Sequence, residues 1–257
     1  MSDQPIRSLY GESSGQGQEQ QKPLNILDII SGVFSEPVEL FKRLSKKPQW
    51  GGAMLVVIIL TVAFSATWAF RVDAVEFLLA IYDRALPHST QLQAMSQDDI
   101  EKLAEMQAKI LPIGGLFQSL IVAPIFIFIC GLIYWAIGLV SKEDQRWKPT
   151  YQHGLVAATV PSLVTIPYLL LGTVMTIMNP VGIKKANQMV PSSVAFWLET
   201  DSPKLEAIYG LLDPFILAQF VMIYFAVRYT LRAQSWGAIL CVAIALMFPG
   251  ITIWMAK

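Results

Sequence analysis

Cysteine and histidine are nearly missing from this 257-residue chain, with two of each. Cys130 and Cys241 each sit inside an apolar run, where a thiol acts as a small packing residue rather than as a redox or disulfide partner. His88 and His153 stand alone at loop or edge positions, so no spacing suggests zinc and neither has a paired nucleophile. Charge is scarce as well, at 15% of residues against about 25% in ordinary soluble domains. The 19 basic and 19 acidic side chains cancel, so no overall field favours nucleic acid or an acidic substrate. HExxH, GxSxG and P-loop patterns are absent, as are a GxGD-like aspartate pair and a Ser–His pair within the apolar runs. These absences argue against an enzyme, and they suggest no cofactor or metal.

Apolar residues, at 54%, are what the chain has in plenty. They gather into runs of about 20 residues almost free of charge, the length that crosses a hydrocarbon core of about 30 Å. The runs at 50–70, 113–140, 154–178, 211–229 and 236–256 predict five crossings. The expected fold is therefore all-α, a polytopic membrane bundle of five transmembrane helices behind an N-terminal interfacial amphipathic helix. Residues 1–23 are rich in Gln, Gly and Ser and lack the apolar core of a signal peptide, which predicts a disordered cytoplasmic tail. Residues 24–49 form the amphipathic segment, and 50–256 the membrane domain.

Five crossings put the two ends on opposite faces. Lys42, Arg43, Lys46 and Lys47 before the first span, and the short basic connectors at 141–153 and 230–235, are denser in Lys and Arg than the longer loops on the other face. By the positive-inside rule the N-terminus is expected in the cytoplasm and the C-terminus outside. In the first outer loop, Ser96 and two aspartates open a stretch with helical spacing of Ile100, Leu103 and Ile110, predicting an amphipathic helix outside the membrane core. The second, at 179–210, mixes apolar and polar residues and predicts short interfacial helices.

Three features carry the functional reading. In 24–44, Ile26, Ile30, Val33 and Phe34 share one helical face, and Val38, Phe41 and Leu44 form another after Pro37. With Lys42, Arg43, Lys46 and Lys47 behind them, this segment is expected to lie in the membrane interface, each cation adding about 1 kcal/mol near an anionic leaflet. It reads either as a topology anchor or as a lipid- or partner-binding platform. Asp213, followed by Pro214, has the form of a helix N-cap; the sharper alternative is ion or proton coupling with Gln219. The third span carries Pro161 and Pro167, whose freed carbonyls need partners, so this helix belongs inside the bundle, as a packing kink or as the lining of a cavity.

Three segments then resemble the Yip1 domain family in the shorter form found in bacteria. They are IISGVFSEPVELFKRLSKKPQW before the first span, KPTYQHGLVAATVPSLVTIPYLL leading through the third, and LLDPFILAQFVMIYFAVRYTLRAQSWGAILCVAIAL through the last two. The resemblance runs over about 24–256 and implies a cytoplasmic N-terminus in an inner membrane. It also implies a role like that of eukaryotic relatives, which act in vesicle traffic and associate with Rab GTPases and with one another. At the fourth span this chain has Asp213, Pro214 and Phe215, where many relatives have an aliphatic residue after the aspartate.

The function expected is that of a non-enzymatic multi-pass membrane protein in membrane organisation, trafficking or assembly. Its partners would be the bilayer, anionic lipids, and a second copy or other membrane proteins, not nucleic acid. The alternative is a small-solute or ion transporter.

Overall fold

The computed structural model describes residues 23–178, 190–198, 200 and 202–255; the expected tail, apart from Pro23, and residues 179–189 of the second outer loop lie outside them. Two short helices come first, α1 (Ile26–Ser35) and α2 (Pro37–Lys46). Asn25 and Asp28 cap α1 reciprocally, each side chain accepting the other's backbone N–H. Proline in the first turn of α2 lacks the N–H that would continue α1, so the chain breaks at Glu36. Next are α3 (Gly51–Arg71), α4 (Ala74–Ala85), the single turn α5 (Thr90–Gln93) and α6 (Gln97–Phe117). A π-helical turn at Gln118–Val122 carries α6 directly into α7 (Ala123–Ser141). Then α8 (Tyr151–Thr159) passes through a 3-10 stretch, Val160–Thr165, into α9 (Ile166–Met178). The chain closes with α10 (Val194–Trp197), α11 (Pro203–Leu211), α12 (Pro214–Thr230) and α13 (Ser235–Met255). Among the described residues no strand forms, only an antiparallel bridge between Lys142 and Ala233.

Among the described residues three helices are long and apolar enough to cross a membrane: Gly51–Arg71, Gln97–Ser141 and Tyr151–Met178. A fourth results if Lys204–Leu211 and Pro214–Thr230, bent by 63°, act as one span; the apolar stretch of α13, Ser235–Ile251, is shorter. The third crossing helix forms the centre. Half of its most apolar stretch is buried, against 6% for α3. Around it Val156, Val160, Val227 and Leu231 are fully enclosed, together with Phe41 and Leu44 from α2. Helices α7 and α8 approach so closely that a Cβ on Gly154 would lie 2.2 Å from the Gly131 carbonyl oxygen, so only glycine fits there.

Two elements differ from the sequence reading. The amphipathic helix and the second span form one continuous 45-residue helix, even though Pro112 lies within it. Proline costs a helix interior about 3 kcal/mol. That cost is offset on one side by a small core in which Phe77 and Leu78 of α4 cover Ala104, and on the other by the bilayer's demand for internal backbone bonds. Second, the apolar side of 24–47 is covered largely by protein. Ile29, Val33, Leu40, Phe41 and Leu44 are at most 3% exposed, leaving Leu27 and Phe34 as the large exposed apolar groups of the segment. These side chains pack against α12 and the third crossing helix.

Candidate functional site

The polar features gather at the end of the bundle where α2 stops and two connectors, α7–α8 and α12–α13, turn back. Three contacts fix α2 there. Phe41 and Leu44 fill the core, Thr230 Oγ1 donates to the Phe41 carbonyl at 3.4 Å, and His153 Nε2 lies 3.0 Å from the Ser45 carbonyl oxygen. His153 is thus no isolated edge residue. It is buried, and its Nδ1 accepts the Thr150 N–H at 3.0 Å, so the hydrogen sits on Nε2 and is donated to Ser45.

The two connectors are tied by backbone bonds. Gln234 N–H donates to the Ser141 carbonyl at 2.6 Å, and Glu143 N–H to the Arg232 carbonyl at 2.9 Å. Arg232 takes a φ of 51°, the left-handed region that residues with a Cβ rarely enter. Its guanidinium carbon stacks 4.0 Å from the centre of the Trp147 ring, which in turn meets His153 edge-on at 5.4 Å. Arg228 pairs with Glu143 at 2.6 Å and also donates to the Ala233 carbonyl at 2.5 Å.

Between these groups lies an open cavity of about 470 Å³. Five cations line it: Lys42, Arg43, Lys46, Arg228 and Arg232. Three carboxylates, Glu39, Glu143 and Asp144, share its wall, leaving a formal excess of two positive charges. Arg228 is neutralised by Glu143, and Lys42 stands 3.9 Å from Glu39. Among the described residues no carboxylate lies within ion-pair range of Arg43, Lys46 or Arg232. Lys47 is exposed and is not part of the wall. Of the four basic residues singled out in the sequence, three therefore converge on one cavity. In the sequence Arg228 and Arg232 stand out only as basic residues in and beside the connector at 230–235. Arg228 lies in the last turn of α12, but Arg232 follows the end of the helix, so helical spacing does not place it; the left-handed turn that aims it was not legible.

The intramembrane candidates lie elsewhere and apart. Asp213 is fully buried and caps α12, Oδ1 accepting from Phe215 N–H at 2.8 Å and Ile216 N–H at 3.3 Å. Its other oxygen accepts the Ser192 hydroxyl. Gln219 donates instead to Ser162 Oγ at 3.1 Å, beside a mostly apolar cavity of about 340 Å³ between α7, α12, α13 and the 3-10 stretch. Pro161 is buried at that stretch and Pro167, half-buried, opens α9. No hydrogen bond joins Asp213 to Gln219 among the described residues.

A family model, the Yip1 domain, matches residues 31–256, nearly the whole chain and all of the basic cavity. The chain belongs to the Yip1 domain family. No curated protein and no solved structure matches it. Membership of the Yip1 domain family, together with several helices of crossing length, makes this an integral membrane protein.

Proposed function

We propose that this Yip1 domain protein crosses the bacterial inner membrane five times, N-terminus in the cytoplasm and C-terminus outside. It works without catalysis, in membrane organisation, trafficking or assembly, through helix–helix and lipid contacts. The alternation of the bundle's two ends supports five crossings. The end of α2 and the α7–α8 and α12–α13 connectors meet at one end. At the other, Arg71 at the end of α3 donates to the Ile177 carbonyl near the end of α9 at 2.8 Å.

The observation that carries the function is the docked α2. Its buried Phe41 and Leu44 hold Lys42, Arg43, Lys46 and Lys47 in a fixed basic edge beside the start of the first crossing helix. A fixed row of cations at that height faces lipid phosphates, each worth about 1 kcal/mol near an anionic leaflet. The test is co-purification in mild detergent with Lys42→Glu, Arg43→Glu, Lys46→Glu and Lys47→Glu combined. Loss of the co-purifying lipids or membrane-protein partners is expected; their unchanged recovery would sink the platform.

The transporter reading keeps one observation in its favour, the cavity beside Gln219 and Ser162 at the break in the third crossing helix. Proteoliposome flux that falls in Gln219→Ala and Asp213→Asn would favour it. No flux from the unmodified protein removes it.

A further inference from the structure

We propose that the 470 Å³ cavity is a single-occupancy site for the phosphodiester headgroup of an anionic glycerophospholipid, with Arg232, Arg43 and Lys46 on the phosphate. This goes further than a diffuse basic edge, yet it rests on the reading that this end of the bundle meets a lipid surface. Four observations lead to it. The cavity is of the size that encloses small ligands, roughly 300–1,000 Å³. Its wall carries a positive excess, so the occupant is a net anion. Three of the cations have no carboxylate partner among the described residues, while Arg228 is already consumed by Glu143. Finally, Arg232 is aimed by a costly backbone. Its left-handed φ is held by the cross-connector hydrogen bonds, and its guanidinium plane is fixed against Trp147. A planar fork held in advance suits the bidentate recognition of phosphate.

The wall also says which anion. Asp144 accepts the Arg146 N–H at 2.8 Å and has no cation in ion-pair range among the described residues, so it can accept from a hydroxyl. A phosphate bearing a hydroxylated head satisfies both cations and acid, and inorganic phosphate leaves the acid opposed to a like charge. The position adds the lipid. The cavity opens where crossing helices end, so a headgroup sits in the wall while its acyl chains stay in the bilayer.

The test uses the full chain in mild detergent and counts bound molecules by native mass spectrometry. The probes are micelles doped with phosphatidylglycerol, micelles doped with phosphatidylethanolamine, and sodium phosphate alone. One phosphatidylglycerol per chain is expected, retained at 0.5 M salt (about the level that screens exposed pairs) and weakened about tenfold or more by Arg43→Gln with Arg232→Gln. Arg232→Lys, which keeps charge but loses the fork and the stacking, should fall between. Lys148→Gln, an exposed cation outside both the wall and the basic edge of α2, should bind like the parent. If Arg232 variants fail to fold, Arg43→Gln with Lys46→Gln, both on exposed side chains, makes the same measurement. Unchanged binding in these variants overturns the site. Equal retention of phosphatidylethanolamine overturns the anionic headgroup, and inorganic phosphate bound as tightly as lipid overturns the lipid. Partners lost on charge reversal while the unmodified chain holds no stoichiometric lipid would overturn the cavity and leave the platform standing. One lipid bound by the unmodified chain and lost in Arg43→Gln with Arg232→Gln, with membrane-protein partners retained on charge reversal, would sink the platform alone.

Discussion

Gly154 is the position where a single methyl group should matter most. Its backbone faces the Gly131 carbonyl with no space for a Cβ, so Gly154→Ala must push α7 and α8 apart. We expect a loss of about 1–3 kcal/mol, read as a lower unfolding midpoint in detergent. Asp213→Ala removes two cap bonds and the acceptor for Ser192, and about 1–2 kcal/mol is expected from the cap. Asp213→Asn, which keeps one side-chain oxygen for the α12 N–H groups, should lose less in the same measurement. This residue was legible in the sequence because an aspartate before a proline is a local signal whose meaning needs no neighbours. Its bond to Ser192 was not, being a contact across 21 positions. Arg232 is the opposite case: nothing in an arginine announces a left-handed backbone, and only the two connectors locking around it produce one.

At the scale of elements, α2 is the test of whether the basic edge is held by protein or by lipid. Phe41→Ala should cost about 3–5 kcal/mol locally, because the ring is fully enclosed. It should also speed hydrogen exchange across α1 and α2 while leaving α7 protected; exchange unchanged at Leu40 and Leu44 would mean that this ring does not hold the segment. The amphipathic pattern of 24–44 was readable, but what it faces was not. Periodicity identifies an apolar side without saying whether another helix or the bilayer covers it. The same limit applies to 96–111. Its capped start was readable at Ser96, whose Oγ does accept the Asp99 N–H at 3.3 Å. Its end was not, because Pro112 reads as a boundary and is instead carried within the helix.

Over the whole molecule, cysteine chemistry can read the ends of the bundle, since Cys130 and Cys241 are both buried and give little background. Single cysteines at Ser31 and at Gln97 should label from opposite sides of sealed membranes, Ser31→Cys only from the cytoplasmic side. Labelling of both from one face would remove the five-crossing topology. The expected span at 50–70 and the helix at Gly51–Arg71 differ by one residue, because a charge-free run of membrane length has a single solution in lipid. The run expected as a fourth span, 211–229, falls within a few residues of α12, Pro214–Thr230, which reaches crossing length only if Lys204–Leu211, bent from it by 63°, belongs to the same span.

The 45-residue helix has a mechanical consequence. At 1.5 Å per residue it is about 67 Å long, roughly twice the hydrocarbon thickness, so once it crosses, a large part of it would stand clear of the bilayer with α4 packed on its side. A long segment tilts when the surrounding membrane thins. A tilt of about 10° in the embedded half would swing the free end, some 35 Å away, sideways by about 6 Å. Thinner bilayers are therefore expected to displace α4 sideways, with Pro112 and the π turn as the places where the helix would bend.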